Sequence, residues 1–122
     1  MTPTYVLLYV ENPLQSGEFY ARLLERRPVE ASPGFVMFVL ESGVKLGLWL
    51  RREVAPAAAG APGSTELCFA EPSGDAVRAR HAAWKAQGIP IAQPPTEMDF
   101  GTTFVGLDPD GHRLRVLVPP AR

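Results

Sequence analysis

The sequence predicts an α+β fold made of two tandem βαβββ repeats, forming a curved mixed sheet around a cleft with the helices outside. Three observations carry that prediction. The order strand, helix, short strand, strand, hairpin turn, strand occurs once before residue 53 and again after residue 63. The halves also align residue by residue. Gly43-Val44-Lys45-Leu46 matches Gly111-His112-Arg113-Leu114 at an offset of 68, and Arg27-Pro28-Val29 matches Ile89-Pro90-Ile91 at 62. Finally, 13 Pro and 11 Gly in 122 residues imply many short elements and turns.

The first repeat spans 3–52. Thr4 to Val10 is rich in β-branched and aromatic residues and reads as a buried strand. Asn12 then offers a side-chain cap, Pro13 suits the first helical position, and Gln15 stands where a capping box needs it. The helix is expected over Pro13 to Glu25, with Phe19, Tyr20, Leu23 and Leu24 on one apolar stripe. Pro28 ends it. A short extended piece, Val29 to Ala31, leads through Ser32-Pro33-Gly34 to a strand at Phe35 to Leu40. Glu41-Ser42-Gly43 turns the chain into Val44 to Leu50. Residues 53–63 lack aromatics and are rich in Ala, Pro and Gly, so they read as a linker.

The second repeat spans 64–119. Ser64 to Ala70 is a strand. Ser73 to Gln87 is a helix carrying Val77, His81 and Trp84 on one face, with Gly88 as its stop. Ile89 to Gln93 is extended, and Pro94 to Gly101 reads as the longest loop of this half, a candidate lid over the cleft mouth that Phe100 would close. Thr102 to Leu107, the turn Asp108-Pro109-Asp110-Gly111, and His112 to Val118 complete the pattern. The whole chain, 1–122, reads as a single domain.

Composition excludes several function classes. Lys+Arg number 12 against 13 Asp+Glu, a net charge of −1, which argues against nucleic acid or another polyanion as partner. No apolar run approaches the ~18 residues of a membrane helix, and Met1 to Tyr5 lacks the basic start of a signal peptide, so a cytoplasmic location is expected. One Cys and two His leave little material for a metal centre. Cys68 reads as a small strand hydrophobe with no His placed by the sequence to activate it. His81 reads as a semi-buried helix residue and His112 as part of a turn. No Ser-His-Asp order or phosphate loop is evident.

Leu8-Tyr9-Val10-Glu11-Asn12, Ser16-Gly17-Glu18-Phe19-Tyr20, Leu23-Leu24, Glu66-Leu67-Cys68-Phe69, Trp84-Lys85-Ala86-Gln87-Gly88, and Phe100-Gly101 leading to Asp108-Pro109-Asp110-Gly111-His112 occur in order along the chain. Together they resemble the vicinal oxygen chelate superfamily, which holds glyoxalase I, the extradiol dioxygenases and the bleomycin-resistance proteins. The resemblance implies the tandem-repeat fold and a small-molecule cleft. It speaks weakly to activity, because one fold hosts many functions.

The resemblance also implies four strand positions at which metal-using members place His, Gln or Glu. Here they fall on Tyr5, Gly47, Glu66 and Arg115, and Gly47 and Arg115 are related by the same offset of 68. Only Glu66 is an ordinary metal ligand. Gly47 has no side chain, and a guanidinium is a fixed cation without a lone pair to donate. The expectation is therefore no metal, no other cofactor and no catalytic residue, with a Glu66–Arg115 ion pair in the cleft. Tyr5 and Trp49 are expected to offer stacking surface; Trp49 shares the strand face of Gly47, opposite Leu46, Leu48 and Leu50.

This reading leans away from enzymatic activity. It makes the chain a small-molecule binding protein of the bleomycin-resistance-like branch. Such a protein would sequester a toxic or antibiotic-like aromatic compound against Tyr5, Trp49 and Phe100, with Glu66 and Arg115 meeting its polar groups. The resemblance further implies a homodimer, and the 53–63 segment is long enough to let the halves exchange between chains. The alternatives are a metal-dependent lyase or dioxygenase with shifted ligands, or a structural dimer with no ligand at all.

Overall fold

The computed structural model describes residues 1–120. Contacts divide the chain into two units, Met1–Gly60 and a second beginning at Ala61. Each is a βαβββ unit of the α+β class with one helix and one four-stranded mixed sheet.

The first unit consists of β1 (Tyr5–Val10), α1 (Pro13–Leu24), β2 (Glu30–Ala31), β3 (Phe35–Val39) and β4 (Lys45–Leu50). Its sheet runs β1-β4-β3-β2, with β1 parallel to β4 and the other pairs antiparallel. The parallel pair follows from the helical crossover, because strands joined by a hairpin can only run antiparallel. Helix α1 starts where the side chain of Asn12 accepts the backbone N–H of Gln15 at 3.1 Å, satisfying one orphan donor of the first turn. It stops at Glu25, held in the left-handed region at φ 50. Tyr20, Val36, Phe38, Leu46 and Leu48 are almost fully buried and form the core between helix and sheet. Gly17 lets α1 approach closely: a Cβ there would stand 3.1 Å from Val36 Cγ1.

The second unit consists of β5 (Glu66–Ala70), α2 (Gly74–Ala86), β6 (Ile91–Met98), β7 (Gly101–Leu107) and β8 (Arg113–Leu117). Its sheet runs β5-β8-β7-β6, the same order and the same single parallel pair as the first. Ser73 caps α2 by accepting from the Ala76 N–H at 3.1 Å. Val77, Trp84, Phe104, Leu114 and Val116 form the core. Trp84 meets Phe104 edge-on at 5.2 Å and Phe69 at 6.1 Å, while His81 packs edge-on against Phe104 at 5.3 Å. Space for the indole comes from Gly106, where a Cβ would lie 2.9 Å from the ring. The first unit solves the same problem in reverse, with Phe38 standing at the strand position that corresponds to Gly106.

Two expected segments differ. Residues 94–101 are not a loop: β6 continues to Met98, and a two-residue turn at Asp99-Phe100 leads directly into β7. Pro94 and Pro95 are accommodated because β6 is an edge strand and its pairing shifts register between Gln93 and Thr96. A long covering loop at these residues is thereby replaced by a hairpin tip. The segment expected as a plain linker is also partly structured. A 3-10 turn occupies Arg51–Glu53, Val54 is buried, and the Arg51 guanidinium donates to the Gly60 carbonyl. No helix among the described residues is long and apolar enough to cross a membrane.

Candidate ligand-binding site

Alternation along a strand sends every second side chain to the face opposite the helix. In the first unit that face carries Tyr5, Leu7 and Tyr9 from β1, Phe35 and Met37 from β3, and Lys45, Gly47 and Trp49 from β4. It is an apolar, aromatic surface. Tyr9 and Trp49 are register partners and meet edge-on at 6.2 Å. Tyr5 and Leu7 remain 52% and 42% exposed, so the surface is open at its β1 edge. Glu30 of β2 shares this face as the register partner of Met37, and the Lys45 ammonium lies 5.1 Å from the centre of the Tyr5 ring in a cation–π contact. Above Gly47 there is no room for a side chain: a Cβ would stand 2.7 Å from Leu7 Cδ2 and 2.8 Å from Phe35 Cζ.

The corresponding face of the second unit is polar. Glu66 on β5 occupies the register place of Tyr5, Cys68 that of Leu7, Arg115 that of Gly47, and Thr103 that of Phe35. Arg115 grips Glu66 with two charge-assisted bonds, Nε to Oε1 at 2.7 Å and Nη2 to Oε2 at 3.0 Å. Its Nη1 donates to Gln93 Oε1 at 3.1 Å and to Thr103 Oγ1 at 3.2 Å. Thr103 is held in turn by donating to the Val116 carbonyl at 2.8 Å. Arg113 adds a longer contact to Glu66 at 3.9 Å. The Glu66 and Arg115 side chains keep 25% and 16% of their surface, so the pair lies at the surface of the sheet rather than sealed beneath it.

Electrostatics follow from this wiring. The hydrogen bond from Arg115 is the largest influence on Glu66 and, against partial desolvation, holds its carboxyl below the usual range; the same bond raises the guanidinium further. Burial first, and then the Glu66 carboxylate, push the Cys68 thiol up. A thiol so placed is less ionised than a free one and is a poor nucleophile.

Of the residues singled out from sequence, Glu66 and Arg115 are brought into direct contact. Tyr5 and Trp49 share one sheet face but not one contact, since Tyr5 pairs with Lys45 and Trp49 with Tyr9. Phe100 sits at the β6–β7 hairpin tip, 40% exposed. It is five residues along the strand from Val105, the register partner of Arg115, or about 16 Å at the usual rise. It therefore does not join the Glu66–Arg115 network. His81 lies in the helix–sheet core, and the Asp108 carboxylate accepts the His112 backbone N–H at 2.8 Å within the turn.

Sequence reasoning missed Gln93 and Thr103. The offset of 68 that pairs Gly47 with Arg115 also maps Thr103 onto Phe35, so that signal was present. Gln93 was hidden by the prolines that follow it. A separate cavity of about 240 Å³ in the first unit, lined by Glu11, Arg51, Arg52, Val54, Ala57 and Ala58, was also not anticipated.

The donor set does not suit the divalent metal that the resemblance implies. Gly47 supplies no atom and the space above it is filled. Arg115 supplies a cation already bonded to Glu66, the one ordinary ligand of the four. Among the described residues, no three His, Cys, Asp or Glu side chains stand close enough to hold an ion together.

Known proteins provide the remaining context. A family model for the Glyoxalase/Bleomycin resistance protein/Dioxygenase superfamily matches residues 2–116. The phenazine antibiotic resistance protein EhpR of Enterobacter agglomerans is 32% identical over 120 residues, spanning 95% of this chain and 91% of that protein. A protein of Agrobacterium tumefaciens solved by NMR in solution is 45% identical, with a TM-score of 0.90 over 99% of both chains. The lactoylglutathione lyase of Agrobacterium tumefaciens shares the fold at 21% identity, with a TM-score of 0.78 over 96% of this chain and 92% of the other. Strand order, repeat and family match agree, and the chain belongs to the glyoxalase/bleomycin resistance protein/dioxygenase superfamily.

Proposed function

We propose that this protein binds a planar aromatic small molecule without a metal and protects by sequestering it. One observation carries the reading. Where metal-using members of the superfamily would place donors, this chain has an apolar surface over Gly47 in one unit and a bidentate Glu66–Arg115 pair in the other. Stacking and hydrogen bonding need such surfaces; metal chelation does not. The similarity to EhpR, whose name records resistance to a phenazine antibiotic, points to a fused heteroaromatic compound. In this reading Tyr5 and Trp49 supply ring contacts, and Glu66 and Arg115 meet polar atoms of the ligand. The protein acts as a homodimer in the cytoplasm.

The test is a fluorescence titration of the purified protein with phenazine. Trp49 is half-buried on the proposed face whereas Trp84 is buried in the core, so quenching reports Trp49. Saturable quenching with one phenazine per chain is expected, and Trp49→Phe abolishes that signal. Absence of saturation at the solubility limit of phenazine would refute the reading.

A further inference from the structure

We infer that Gln93 is a ligand-contacting residue that selects aromatic compounds bearing a lone-pair acceptor, such as a ring nitrogen or ring carbonyl. The inference rests on the binding role proposed above and adds a residue to it. A guanidinium has donors only. Because Arg115 Nη1 lies 3.1 Å from the Gln93 side chain, the amide must turn its oxygen toward Arg115. That fixes the NH2 group on the opposite side as an outward donor. Its partner within the protein is Met98 Sδ at 3.6 Å, a weak acceptor. The amide is thus held by a charged neighbour while its donor end is poorly matched.

The surrounding groups reinforce this selection. The Thr103 hydroxyl is committed to the Val116 carbonyl and to Arg115. Nε of Arg115, and one hydrogen of Nη2, are committed to Glu66. Arg113, 3.9 Å from Glu66, leaves the cluster with one more positive than negative charge. An incoming acceptor therefore meets a donor of fixed direction in a mildly positive field. The first unit has no counterpart, because Gly47 stands at the place of Arg115 and no guanidinium is present there to orient an amide.

The experiment compares phenazine with anthracene, its all-carbon isostere, on wild type, Gln93→Glu and Gln93→Met. Gln93→Glu keeps an acceptor for Arg115 but removes the outward donor. Gln93→Met removes both at similar volume. Each variant is expected to weaken phenazine binding about tenfold while leaving anthracene affinity unchanged. Equal weakening of both ligands would assign Gln93 a structural role and overturn the inference. Unchanged phenazine affinity in both variants would overturn it too, with the proposed function left standing. Failure of the wild type to bind either compound would refute the proposed function and this inference with it.

Discussion

The two sheets are built to one plan and finished with opposite chemistry. Strand order, register and helix caps repeat from one unit to the other. On the face away from the helix the register places of Tyr5, Leu7, Phe35 and Gly47 are taken by Glu66, Cys68, Thr103 and Arg115. The helix-facing core stays apolar in both units, because burial against a helix leaves little choice. The opposite face is where the repeats have diverged.

Substitutions that exchange the two chemistries should show which contacts each face depends on. Gly47→Arg, which gives the first unit the second unit's residue, forces a side chain between Leu7 and Phe35. It is expected to lower stability by about 2–3 kcal/mol in chemical denaturation. Adding Leu7→Ala recovers part of that loss, since Leu7 is the more exposed obstacle. Arg115→Met removes both bonds to Glu66 and those to Gln93 and Thr103, and leaves Glu66 partly desolvated without its main partner, for an expected cost of about 1–3 kcal/mol. Glu66→Gln, which keeps an acceptor for Arg115, costs less than either, about 1 kcal/mol.

Acid gives a smaller effect of known sign. The carboxyl of Glu66 is held below its ordinary value in the folded protein, so the native state favours the ionised form. The pair's contribution is fully present above the ordinary carboxylate range and is lost as pH falls through the lowered value. In wild type the denaturation midpoint should fall more steeply below pH 4.5 than in Glu66→Gln. The smallest effect concerns Cys68. Its raised thiol should react with iodoacetamide more slowly at neutral pH than a free cysteine, and Glu66→Gln should speed the reaction slightly.

The repeat was legible because hydrophobic periodicity, Asn12 and Ser73 caps, and turn glycines all report local forces that act the same way twice. The Glu66–Arg115 contact was legible through the resemblance, which put both residues at strand positions lining one cleft, with the offset of 68 supporting Arg115 alone. What the sequence concealed depends on neighbours distant along the chain. Pro94 and Pro95 signal a loop by composition, yet an edge strand tolerates them at a register shift. Val54 lies in a bland Ala-Pro stretch, and only tertiary packing buries it. Gln93 gains a role only through the guanidinium that orients it, twenty-two residues away.

The central claim is that binding on these faces is independent of metal. Calorimetric titration with phenazine, run once in excess EDTA and once with added Zn²⁺ or Ni²⁺, tests it most directly. The account predicts the same affinity and stoichiometry in both conditions, with binding weakened in Arg115→Met. Binding that appears only when the divalent ion is present, and that vanishes with EDTA, would contradict it.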